Sequence, residues 1–281
     1  MKKRGIIMKI IDAHLHFCPE YPHFDELARA AGHENTAEHL KKEYERLGIV
    51  MGIVMGNRGL SLEEHQYPDF LRYCIGLDGK ILRENRLVDS YALIEQHLKL
   101  ESCVGIKLYP GYNKTYITDE SYEPVYELAA AYQKPVAVHM GQTAGPRAYL
   151  KYSHPLTMDE AAVRHPDVQF VMCHFGNPWL MDAAAVVEKN DNVAADLSGI
   201  LVGKMEFGRL LERQRGYFET FRTWVSYCDN YGKFMFGTDW PLANYEESVD
   251  FVKWLVPEEY HEAVFYGNAA RIYKIQQEKH S

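Results

Sequence analysis

Long apolar runs are missing from this 281-residue chain; its hydrophobic stretches last a few residues, far below the ~20 that cross a bilayer. Extended Lys/Arg runs are missing too. With 31 basic against 39 acidic residues and a net charge of −8, nucleic acid and anionic membrane are excluded as principal partners. Cysteine is scarce and odd in number: Cys18, Cys74, Cys103, Cys173 and Cys228 form no Cys-x-x-Cys pair. That excludes a disulfide framework and points to reduced thiols in a cytoplasm. A basic amino terminus followed by isoleucines suggests a secretory signal, but Lys9 and Asp12 interrupt it and no small-residue cleavage site follows. Residues 1–8 are expected to be a flexible extension, with Met8 as an alternative start. The phosphate-binding signatures Gly-x-x-x-x-Gly-Lys-Ser/Thr and Gly-x-Gly-x-x-Gly are absent, as are His-Glu-x-x-His and Gly-x-Ser-x-Gly.

What is present is rhythm. Eight short runs rich in Val, Ile and aromatics end in Gly, Pro or polar residues and read as strands. They are Ile10–Phe17, Gly48–Gly56, Tyr73–Asp78, Cys103–Pro110, Pro135–Gly141, Val168–Gly176, Asn192–Gly199 and Lys233–Pro241. Segments of helical periodicity lie between them, among them Glu38–Leu47, Asn85–Leu98, Glu120–Tyr132, Thr157–His165, Trp179–Lys189 and Asn244–Leu255. Strand starts recur about every 32 residues, the length of one βα unit, and eight such units make a (β/α)8 TIM barrel. Near-continuous apolar runs such as Val168–Cys173 suit parallel strands buried on both faces. An open doubly wound sheet would usually carry a Gly-rich turn after its first strand, where this chain has His-Leu-His. No linker interrupts residues 1–281, so one α/β barrel domain is expected.

Barrels keep their chemistry at the carboxyl ends of the strands. On the first strand, alternation directs His14 and His16 to one face and Ile11, Ala13, Leu15 and Phe17 to the other. Two imidazoles roughly 7 Å apart along a strand can converge on one cation. His139 closes the fifth strand, His174 the sixth and Asp239 the eighth. A barrel turns these ends toward a common axis, and a bound cation accounts for several buried imidazoles and an acid that would otherwise lack partners. The remaining histidines, His23, His33, His39, His65, His97, His154, His165, His261 and His280, read as mostly solvated, with His23 and His154 in loops at the catalytic face.

These residues resemble the amidohydrolase superfamily, and within it the group of aminocarboxymuconate semialdehyde decarboxylase and resorcylate-type decarboxylases. The likeness rests on Asp12-Ala-His14-Leu-His16, Gly105-Ile-Lys107-Leu-Tyr-Pro110, His139-Met-Gly141, His174-Phe-Gly-Asn-Pro-Trp179, Ala195-Asp196-Leu-Ser-Gly199, Gly237-Thr-Asp239-Trp-Pro241 and Tyr266-Gly-Asn-Ala-Ala-Arg271. It implies a metal site of His14, His16, His139 and Asp239, with His174 beside the metal. Zinc is the expected ion, with manganese, ferrous iron and cobalt as alternatives. Other branches carboxylate a strand-four lysine to bridge two metals; Lys107 is the candidate here, though one metal with Lys107 as a cation facing substrate or supporting the ligands from behind is the simpler expectation.

Three histidines and one carboxylate leave a coordination position for water, whose pKa zinc lowers to about 7. Asp239 is expected to act as general base and His174 to stabilise a developing oxyanion. The activity expected is hydrolysis of a C–N or C–O bond in a small, carboxylated substrate; the alternative is non-oxidative decarboxylation on the same site. Arg147 suits bidentate binding of a carboxylate, while Tyr109 and Trp179 are candidate pocket walls. Asp12 and Asp196 are expected to point inward and orient the ligands. A small-molecule substrate, and a second copy in a homodimer, are the partners considered.

Overall fold

The structure, a computed structural model, describes residues 8–77 and 87–275. Most of the expected amino-terminal extension, the end of the third predicted strand at Asp78, the start of the helix at Asn85 and His280 lie outside the described residues. Eight parallel strands pair in sequence order: β1 Ile10–Leu15, β2 Ile49–Met55, β3 Leu71–Leu77, β4 Cys103–Leu108, β5 Val136–His139, β6 Phe170–Cys173, β7 Val193–Asp196 and β8 Phe234–Met235. The seam between β8 and β1 is bridged by backbone bonds from Ala13 N–H to the Phe236 carbonyl (3.0 Å) and from Asp239 N–H to the His14 carbonyl (2.7 Å). The fold is a TIM barrel, as the 32-residue rhythm predicts.

Helices follow the strands on the outside: α1 Pro22–Ala30, α2 Ala37–Leu47, α3 Leu87–Leu98, α4 Glu123–Tyr132, α5 Leu156–Arg164, α6 Leu180–Lys189, α7 Phe207–Arg213, α8 Arg215–Cys228, α9 Tyr245–Leu255 and α10 Asn268–Ile272. Their limits are set by local chemistry. Thr36 caps α2 by accepting the His39 N–H at 3.2 Å, and Gly48 ends it at φ +77°. β2 and β3 approach so closely at their carboxyl ends that a Cβ on Gly76 would lie 1.6 Å from the Gly56 carbonyl oxygen, a contact only glycine permits.

Strand alternation sorts the core into two layers. Val136, Val138, Phe170 and Met172 pack outward against the helices, while Ala137, Val171, Cys173, Ile53 and Met55 fill the barrel interior. α10 contributes Ala269 and Ile272 to the inner cluster. All five cysteines are buried and free, and no helix among the described residues is long and apolar enough to cross a membrane.

Three histidines expected to be solvated are buried: His33, His65 and His97. His97 bonds the Tyr73 hydroxyl (2.8 Å) and the Leu60 carbonyl (3.0 Å); His65 bonds the Gly59 carbonyl (2.7 Å) and stacks on Tyr73. Aromatic packing and fully spent ring nitrogens make their burial tolerable.

Candidate metal centre

Strict alternation fails on β1. A bulge between Asp12 and Leu15 shifts the register against β2, so Ile11 and Ala13 join the inner cluster, Leu15 the outer one, and Asp12 turns toward the helices. Asp12 accepts from Thr238 N–H (2.9 Å), Thr238 Oγ1 (2.7 Å), Tyr44 OH (3.2 Å) and His14 N–H (3.3 Å). It therefore fixes the backbone on either side of the β1–β8 seam and touches no imidazole, contrary to its expected inward position. Burial pushes its carboxyl up to about 7 against those four donors.

The same bulge brings His14 and His16 to Asp239. His14 Nδ1–H donates to Asp196 Oδ2 at 2.9 Å, and His16 Nδ1–H donates to the Met55 carbonyl at 3.0 Å. Both rings therefore present an unprotonated Nε2, and these lie 3.4 and 3.3 Å from Asp239 Oδ1. Three acceptors face one another with no proton left to share. His14 Nε2 and Asp239 Oδ1 are buried without any hydrogen-bond partner, an arrangement costing about 1–3 kcal/mol per atom unless a cation fills it. The ligand atoms of His14, His16 and Asp239 all fall within 4.8 Å of one another. The donor set fits a divalent ion.

His174 and Asp239 both sit in left-handed backbone, at φ +60° and +66°, a conformation that costs non-glycine residues about 1–3 kcal/mol and clusters at functional sites. Asp196 holds the first in place: it accepts His174 N–H (2.9 Å), Ser198 N–H (3.2 Å) and Ser198 Oγ–H (2.5 Å) in addition to His14. His174 Nδ1 faces the Ser198 carbonyl at 3.2 Å. His139 stands apart from the trio, with Nδ1 3.2 Å from His174 Nε2 and Nε2 3.1 Å from the Gln142 carbonyl. That carbonyl claims the Nε2 proton, which leaves Nδ1 as the ring's available donor atom.

Burial lowers His14 to about 4 and lowers His139 and His174 as well, with the Lys107 ammonium acting in the same direction on all three. Burial pushes the Asp239 carboxyl up, but the close His16 ring and the His174 and His14 rings outweigh it and hold it well below the usual carboxylate range. Neutral imidazoles beside an ionised carboxylate are the protonation state that binds a metal cation.

Above this cluster opens a cleft of about 1100 Å³ whose floor includes His16, His139, His174 and Asp239. Tyr109 and Arg147 line it; Tyr109 donates its hydroxyl to the Gly56 carbonyl (2.8 Å) and so serves as wall. Lys107 does not line it: the side chain is fully buried, donating to Cys173 Sγ at 2.7 Å with its ammonium 5.2 Å from the Tyr109 ring centre. Trp179 also lies off the cleft, packed on His154 at 4.9 Å. Both depart from their expected substrate-facing positions because the inner layer and the α5–α6 packing capture them. His23 does line the cleft, as do Lys114 and Tyr112 from the loop after β4. Lys114 carried no distinctive sequence signal beyond its nearness to a strand end, and Ser198, though inside the Ala195–Gly199 motif, had no role assigned to it.

The chain belongs to the Amidohydrolase family, which matches residues 11–275. No curated protein sequence matches it. Several solved structures share its fold. A probable 2-pyrone-4,6-dicarboxylic acid hydrolase from Acinetobacter baumannii, solved with citric acid bound, has a TM-score of 0.64 and 17% identity over 95% of this chain and 100% of that one. A zinc-bound amidohydrolase from Burkholderia multivorans has a TM-score of 0.69 and 15% identity over 95% and 100%. The 2,6-dihydroxybenzoate decarboxylase from Rhizobium has a TM-score of 0.67 and 15% identity over 95% and 99%.

Proposed function

We propose that the protein is a metal-dependent hydrolase that cleaves a C–N or C–O bond in a small carboxylated substrate. The observation that carries the reading is the convergence of His14 Nε2, His16 Nε2 and Asp239 Oδ1, each stripped of its proton by a partner elsewhere or by its own low pKa. These three, with His139 Nδ1, would hold one divalent ion. Zinc suits the nitrogen-rich donor set, and a zinc-bound relative shares the fold. When bound, the ion supplies a Lewis acid and a means of ionising water near neutral pH. A single ion is favoured because Lys107, which a bridged pair would need, is committed to Cys173.

The chain's own groups supply the rest. Asp239 takes the proton of the attacking water and returns it to the leaving group. His174 lines the cleft beside His139; with Nδ1–H held by the Ser198 carbonyl, its Nε2 lone pair accepts a hydrogen bond from the attacking water rather than donating to the oxyanion as the sequence suggests. Asp196 keeps His14 in one tautomer and anchors the strained His174 backbone, so both rings are set before substrate arrives. Arg147 meets the substrate carboxylate and Tyr109 walls the cleft. Assaying zinc-loaded protein against carboxylated amides, esters and lactones alongside aromatic acids tests this. Release of amine or alcohol that Asp239→Asn abolishes is expected; release of carbon dioxide instead would replace hydrolysis by decarboxylation.

A further inference from the structure

The cleft is electrically lopsided. Its floor holds its only carboxylate among the described residues, Asp239, and that group is engaged with the histidines. Its rim holds two exposed cations, Lys114 and Arg147, on different loops. The loops are strapped together: Tyr149 N–H donates to the Gly111 carbonyl (3.0 Å) and Ala144 N–H to the Tyr112 hydroxyl (2.9 Å). Lys114 itself follows a helical turn at Pro110–Asn113, in left-handed backbone at φ +59°, and its ammonium lies 5.2 Å from the Tyr149 ring centre. Neither cation has a carboxylate partner among the described ion pairs, whereas Arg58, Lys99 and Lys189 elsewhere on the surface do. Tyr112 spans the distance between floor and rim, its edge against His139 at 5.2 Å and its hydroxyl tied to the Arg147 loop.

We propose that Lys114 and Arg147 form an outer anion subsite, so that the substrate is a dicarboxylate. One end reaches the histidine–aspartate floor, an apolar or planar middle lies along Tyr112, and the second carboxylate is held at the rim. The choice of substrate class rests on the hydrolase reading, but the subsite is independent of it and can be read by binding alone. Two cations on separate strapped loops can embrace a carboxylate from both sides, with the guanidinium making the bidentate contact and the ammonium a point charge. A neutral or singly charged substrate would leave both cations without an anionic partner at the rim.

The test is calorimetric titration of wild-type protein, with and without zinc, using isophthalate and the straight-chain dicarboxylates from glutarate to suberate. Each is paired with a monocarboxylate of the same skeleton. At least one diacid should bind about fivefold more tightly than its monoacid, the return expected of two partly exposed ion pairs, and the advantage should shrink as salt is added. Lys114→Met/Arg147→Met should reduce that preference below twofold, weakening the diacid more than its monoacid; Lys114→Glu alone should also weaken the diacid. No diacid preferred over its monoacid, or a preference that survives the double variant, overturns the subsite. A diacid preference in wild-type protein that takes up no zinc when zinc is offered supports the subsite while refuting the metal chemistry, so the two ideas fail separately.

Discussion

Asp196→Asn is the perturbation that most sharply separates a built metal site from a chance gathering of histidines. The carboxylate accepts four hydrogen bonds: His14 Nδ1–H at 2.9 Å, His174 N–H at 2.9 Å, Ser198 N–H at 3.2 Å and Ser198 Oγ–H. An amide oxygen in place of Oδ1 keeps the last three. The amide nitrogen in place of Oδ2 then points two hydrogens at His14 Nδ1–H. Either two donors are left facing each other, at about 1–3 kcal/mol, or His14 moves its proton to Nε2. The second course takes a lone pair out of the trio around Asp239 Oδ1. Losses of this kind beside a metal ligand weaken affinity by about 10–100-fold, or about 1.4–2.7 kcal/mol. Asp196→Ala would instead strand three N–H groups, a loss comparable to a large part of a ~5–15 kcal/mol stability, so the asparagine variant is the informative one. Competition with a chromophoric chelator reads the zinc Kd directly. An affinity within twofold of wild type would refute the tautomer argument.

Gly199→Ala should damage the site without replacing any residue proposed to hold the ion. Its φ is +66°, and a Cβ there would lie 2.7 Å from His174 Nδ1 and 2.9 Å from Asp239 Oδ2. About 1–2 kcal/mol of backbone cost and a displaced Asp239 should lower the melting temperature and weaken zinc binding together; unchanged zinc binding would contradict it. The buried histidines predict an acid-sensitive fold. His65 is lowered to about 4 by burial, against an ordinary 6.5, so the unfolded chain binds the extra proton between pH 6.5 and 4. Its share of stability is present above 6.5 and lost as pH falls through that window. Between pH 7 and 5 wild type should lose about 2 kcal/mol more than His65→Gln in urea unfolding; Asp12, raised to about 7, acts oppositely in both proteins and cancels. Equal losses would refute the assignment.

Much of this architecture was legible because parallel strands buried on both faces must be apolar. Val168–Cys173 and Pro135–His139 announce themselves, and each ends where an imidazole enters a loop. The boundaries drift by up to three residues, and by six at the end of β8, since the strand ends curl into the loops that carry His174 and Asp239. α1 and the α7–α8 pair, Phe207–Cys228, fell outside the βα rhythm, their aromatic faces resembling loop as readily as helix. Period-two reasoning aligned Asp12 with His14, and a bulge invisible to periodicity separated them. Lys107 and Trp179 sit where strand-end logic places substrate contacts, yet packing against Cys173 and His154 takes each of them. His33, His65 and His97 misled for the opposite reason: composition makes them polar, while carbonyls and aromatic rings distant in sequence give them an interior.

Elemental analysis of protein purified without chelator bears most directly on the central claim. One divalent ion per chain, retained through dialysis and lost in His14→Ala/His16→Ala, is the predicted result. A wild-type protein that takes up no divalent ion when zinc is offered, or binds it equally well without those two imidazoles, would contradict it.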